Sequence, residues 1–66
     1  MKLIINDETR EFEDSLSIER LLEHLDLSGK PVAVELNLEL VSKPEHGDTF
    51  LKEGDRLEIV SLTGGG

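Results

Sequence analysis

The chain has 66 residues, enough for one domain that buries roughly 60% of its unfolded surface and too few for a cleft between two lobes. It contains no cysteine, which excludes disulfides, thiolate metal sites and sulfur chemistry on a side chain, so stability must come from packing. Seven Lys and Arg against fifteen Asp and Glu leave a formal charge of −8, a field that repels phosphate backbones and anionic lipid and steers toward basic docking surfaces.

Lys2-Leu3-Ile4-Ile5-Asn6 is a short apolar run rich in β-branched residues, closed by the turn-forming pair Asn6-Asp7. Thr9 to Glu13 follows as a second strand. The two read as a β-hairpin separated by Asp7-Glu8, with Phe12 turned into the core and Glu11 and Glu13 facing water. The first strand is apolar on both sides and is expected inside the sheet rather than at its edge.

Ile18, Leu21, Leu22 and Leu25 recur at the spacing of an amphipathic helix. Ser17 is placed as its N-cap, Leu16 and Leu21 have the spacing of a hydrophobic staple, and Glu19 complements the positive end of the dipole. Gly29 is expected as the left-handed C-terminal cap and Pro31 as a barrier to continuation, with Glu23 and His24 facing outward.

Val32 to Leu36 reads as a strand, Asn37-Leu38 as a turn and Glu39 to Val41 as the returning strand. Residues 42–49 read as loop, and Phe50-Leu51 as a brief strand or a plug over the open end of the sheet. Lys52 to Asp55 is a turn before the last strand, Leu57 to Leu62. The order β, β, α, β, β, β suits a mixed sheet of four to five strands with one helix across one face, an α+β domain over residues 1–62. On the last strand, Leu57, Ile59 and Ser61 share one face and Glu58, Val60 and Leu62 the other. With the first set toward the helix, Val60 and Leu62 form an apolar patch that Phe50 extends, a candidate docking surface with an acidic rim.

Residues 63–66 form a glycine tail beyond the last strand. By itself Gly64-Gly65-Gly66 is either a flexible end or a carboxylate presented for chemistry in another protein's active site. The rest of the chain offers no competing centre. His24 and His46 lie in separate elements without cysteine or carboxylates at ligand spacing, and each reads as a surface histidine; no metal ligand and no catalytic side chain is expected. Five serines lack a base or a nucleophile elbow. Gly54-Asp55 is a turn feature without the lysine or helix of a phosphate loop. No apolar run approaches the roughly 20 residues of a membrane span and no signal peptide precedes the domain, so neither membrane nor nucleic acid is an expected partner and the expected location is the cytoplasm.

The opening Leu-Ile-Ile-Asn, the helix start Ser-Ile-Glu-Arg-Leu-Leu, the run Val32 to Asn37, the Glu53-Gly54-Asp55 turn leading into Leu57-Glu58-Ile59-Val60, and the terminal Gly65-Gly66 occur in one order along the whole chain. In this the chain resembles the ubiquitin-like β-grasp sulfur carriers, above all the carrier of thiamine thiazole synthesis; the third glycine, Gly64, departs from the family pattern. The resemblance implies a carrier that is not itself an enzyme and is a monomer when free. A ubiquitin-activating-type adenylyltransferase adenylates the carboxylate of Gly66 with ATP and Mg, which belong to that partner. A sulfur donor enzyme then supplies the sulfur of a thiocarboxylate, which is delivered to thiazole synthase. Gly65, with Gly64 behind it, gives narrow access to the active site; residues 63–66 reach at most about 13 Å when extended. A carrier for molybdopterin or another sulfur transfer, and a ubiquitin-like protein modifier, are the alternatives.

Overall fold

Two turns of the same kind build the sheet of the computed structural model, which describes residues 1–62. Strand β1 (Lys2–Ile5) returns as β2 (Glu8–Glu11) through Asn6 and Asp7, both at positive φ, and β3 (Val32–Leu36) returns as β4 (Glu39–Val41) through Asn37 and Leu38, likewise both positive. Two consecutive left-handed residues give a hairpin turn whose twist matches its strands, and Asn tolerates that conformation better than most residues. The first hairpin thus turns on Asn6-Asp7, one residue earlier than the Asp7-Glu8 spacing suggested, and pairs Ile5 with Glu8.

Strand β5 (Arg56–Ser61) lies between the hairpins, giving the order β2-β1-β5-β3-β4. It runs parallel to β1 and antiparallel to β3, so β1 is interior as its apolar character required. Helix α1 (Ile18–His24) crosses one face. Its Ile18, Leu21 and Leu22 share a buried cluster with Leu3 and Ile5 of β1, Val34 of β3, and Leu57 and Ile59 of β5. Leu16 and Leu51 complete this cluster, and Phe12 and Leu25 pack half-buried at its edge. The helix stripe and the inward face of the last strand are therefore where hydrophobic periodicity puts them.

Both helix ends are closed by named groups. Ser17 Oγ accepts from the Arg20 amide at 3.2 Å, while the amides of Ile18 and Glu19 donate to the carbonyls of Thr49 and His46 at 3.0 and 3.1 Å. At the other end the left-handed residue is Asp26, not Gly29: Leu25 is the C-cap, Asp26 has φ 61°, and the amides of Asp26 and Leu27 donate back to Glu23 and Leu22. This is a Schellman closure. Gly29, at φ 77°, serves instead in the following turn, where the Lys30 amide reaches the Leu27 carbonyl.

The 42–49 segment is more ordered than a loop reading implied. Lys43–Glu45 forms a 3-10 turn with Pro44 in its first positions, and His46 is buried with its ring Nε2 at 3.0 Å from the Val41 carbonyl. His46 is thus a packing residue and not a surface one; His24 is exposed. Phe50 bridges Ser17 and is exposed, whereas its neighbour Leu51 is buried.

Candidate functional site

The end of β5 and the segments beside it make a concave feature. Ser61 pairs with Val32, and the Leu62 amide donates to the Pro31 carbonyl at 2.9 Å, so the chain leaves the sheet held against the loop that follows the helix. Val32 and Val34 alternate onto the helix side of β3. Because α1 stops at His24, it does not cover the Val32 end of that side. An open groove of about 840 Å³ results. Leu22, Leu27, Val32 and Leu62 supply apolar lining, and the charged residues along it are Glu19, Lys30, Lys43 and Asp48.

The three residues expected to dock a partner stand on different parts of this frame. Val60 is 55% exposed on the open face of the sheet, opposite Ala33. Leu62, 61% exposed, follows the last residue of β5, so strand alternation no longer governs it, and it lines the groove on the helix side. Phe50, 62% exposed, sits beside the helix N-cap. Gly64, Gly65 and Gly66 lie outside the described residues, as does the rest of the 63–66 tail.

The turn before β5 holds a polar cluster that the sequence did not reveal. The Asp55 carboxylate is buried; Oδ2 accepts from the Lys52 amide at 2.9 Å, and Oδ1 accepts from Asn37 Nδ2 at 3.1 Å and Lys52 Nζ at 3.3 Å. Burial pushes its pKa up, but the Lys52 amide, the Asn37 amide and the Lys52 ammonium together outweigh that and hold it below the usual aspartate value. Three donors hold it in its ionised form, so it acts as an anchor. The only hint in the sequence was Gly54, needed at φ 85° for this turn. Among the described residues, no group of three or more His, Asp or Glu could hold a metal ion, and no helix is long and apolar enough to cross a membrane.

Asn6 and Asn37 extend this anchoring. Asn6 donates from Nδ2 to the Ile59 carbonyl at 3.1 Å and accepts at Oδ1 from the Ile59 amide at 2.8 Å. Asn37 accepts at Oδ1 from the Arg56 amide at 3.0 Å. Each hairpin turn is therefore stitched to β5 by a side-chain amide, which fixes the strand that leads to the tail.

Residues 3–66 match the model of the ThiS family. The crystal structure of the thiamine biosynthesis protein (ThiS) from Geobacter metallireducens superposes with a TM-score of 0.86 at 32% identity, covering all of both chains. Its solution structure gives 0.82 at 33% identity, covering all of this chain and 88% of that one. Such agreement over the whole chain makes the fold a β-grasp. A thiazole synthase of Paramagnetospirillum magneticum is 47% identical over 66 residues, and one of Magnetococcus marinus is 38% identical. The chain spans only 20% of the length of each. An uncharacterized protein, ycf40, of Porphyra purpurea is 32% identical over 94% of this chain and 87% of its own.

Proposed function

Since the chain belongs to the ThiS family, we propose that it is a sulfur carrier of thiamine biosynthesis whose reacting group is the α-carboxylate of Gly66. The observation that carries this reading is the whole-length match to a thiamine biosynthesis protein of the same fold, on a chain that carries the run Gly64-Gly65-Gly66 and has no cysteine. A carrier without a thiol can hold sulfur as a thiocarboxylate.

The steps follow from carboxylate chemistry. A ubiquitin-activating-type adenylyltransferase, with its own ATP and Mg, joins the Gly66 carboxylate to AMP and releases pyrophosphate. Hydrosulfide supplied by a donor enzyme then attacks the carbonyl carbon, AMP leaves with the electrons of the broken C–O bond, and a thiocarboxylate remains. The folded body contributes no reacting side chain to these steps; it positions the tail. Glycines 65 and 64 let the backbone enter a channel that any Cβ would block. Thiazole synthase is the proposed acceptor, and the similarity of this chain to part of two thiazole synthases supports that pairing. Val60, Leu62 and Phe50 are the proposed docking residues; exposed apolar side chains on an acidic domain suit a partner with an apolar patch and basic rim.

Intact mass spectrometry after incubation with the activating partner, ATP and a sulfur source tests this. Replacement of one oxygen by sulfur at the carboxylate adds about 16 Da. An unchanged mass overturns the carrier reading, and covalent ladders on other proteins favour a modifier.

A further inference from the structure

Helix α1 packs on one face of the sheet, and the opposite face is open. Leu57 and Ile59 of β5 and Val34 of β3 are buried toward the helix, so strand alternation turns Glu58, Val60, Ala33 and Glu35 to the open side. Within that side Glu35 stands directly opposite Glu58 in the β3–β5 register, at the roughly 4.5–5.5 Å Cβ spacing of a cross-strand pair. Like charges so placed repel each other and destabilise the sheet. Neither carboxylate has an ion-pair partner among the described residues, and Arg56, two positions before Glu58 on the same side, is taken by Asp7. Exposed apolar groups border the pair. Leu40 of β4 lies beside Glu35, and Val60 lies beside Ala33 one step further along the strands. A repulsive pair in an apolar border gives nothing back within the chain. Its complement is a cation that arrives with apolar surface around it.

We propose that this face docks a protein surface presenting an arginine among apolar side chains, the guanidinium bridging Glu35 and Glu58 while the apolar groups settle on Leu40, Ala33 and Val60. Arginine suits the pair better than lysine, because its planar fork of donors can serve two carboxylates side by side and an ammonium is a point charge. The partner is the activating adenylyltransferase, so the inference rests on the carrier reading. The net charge of −8 draws a basic surface in at long range, and the bridged pair fixes where it lands. Docking also relieves a repulsion that the free chain carries.

Activation kinetics of the full chain, with sulfur gain read by intact mass, test this on the wild type, E35Q, E58Q and E13Q. E35Q and E58Q are each expected to raise KM about ten- to hundredfold, the loss of a hydrogen bond between charged groups, and to leave kcat unchanged. E13Q removes one charge from an exposed residue after β2, and is expected to change KM by less than about twofold. Equal losses in E13Q assign the effect to net charge and overturn the proposal. In the free chains, E35Q and E58Q are expected to melt above the wild type, as relief of repulsion requires; a lower melting temperature gives the carboxylates a role in the fold and overturns it too. Phenylglyoxal modification of the adenylyltransferase, mapped by peptide mass with each chain at saturation, looks for the arginine itself. One arginine is expected to be shielded by the wild type and left reactive by E35Q/E58Q, and the absence of any such residue overturns the proposal. A wild type that shields the arginine but gains no sulfur loses only the carrier reading. One that gains sulfur while E35Q and E58Q match it loses only the docking face.

Discussion

Asp55 shows how one side chain ties the turn before β5 to the second hairpin. Its buried carboxylate accepts from Lys52 and from Asn37, so replacing it by alanine removes all three of these bonds at once. D55A is expected to lose about 1.5–3 kcal/mol at neutral pH, the range for hydrogen bonds to a charged group, read by urea unfolding. The folded carboxyl has its pKa lowered, so its contribution is full above the ordinary aspartate value of about 3.9 and disappears as pH falls from there through the lower folded value. The gap between wild type and D55A should narrow over that window and not at higher pH. Leu38 offers the opposite sign. It sits at φ 74° with 84% of its surface exposed, a conformation that costs a bulky residue energy without burial in return. L38G creates the favoured Asn-Gly hairpin pair and should raise stability by about 0.5–1 kcal/mol, the gain from removing left-handed strain less the added flexibility of glycine. An unchanged or lower melting temperature for L38G would show that Leu38 makes a contact of its own.

At the scale of elements, the seven-residue helix is too short to persist alone, and packing and caps hold it. Leu21 is fully buried, and L21A is expected to cost about 2–5 kcal/mol, most or all of what a domain of this size has; thermal unfolding by circular dichroism reads it. The stripe of this helix, the two hairpins and the alternation of β5 could be read in the sequence because each is a periodicity that one element displays by itself. The helix end was misplaced because glycine usually takes the left-handed cap, and here Asp26 takes it so that Leu27 can close on Leu22. His46 and Asp55 were hidden for a related reason. Their burial depends on residues from elsewhere in the fold, a strand carbonyl at Val41 and a hairpin turn at Asn37, and no local spacing announces such partners. The groove belongs to the same class, since it exists only where a short helix leaves part of β3 uncovered.

For the whole molecule, fold and reactivity are expected to separate. Removing Gly65 and Gly66 takes nothing from the buried cluster, whose members all lie between Leu3 and Ile59. That truncation should keep the circular-dichroism spectrum and melting temperature while abolishing sulfur gain; loss of the folded signal would contradict the division at residue 62. Adding one residue after Gly66 should block activation as well, by displacing the carboxylate. The charge of −8 implies that association with a basic partner slows as salt is raised, and stopped-flow rates over a range of ionic strength measure this.

The position of β5 bears on the order in which the molecule is made. Translation produces the four outer strands first and the middle one last, and the two hairpins meet in the sheet only through it. A ribosome that has not yet passed Arg56 therefore holds two isolated hairpins, each marginal in water, and the closing contacts span most of the sequence, as in β1 with β5. Premature termination upstream of this strand yields chains without a sheet, which cellular proteases can recognise and clear. The integrity of the sheet is thereby decided by a single strand.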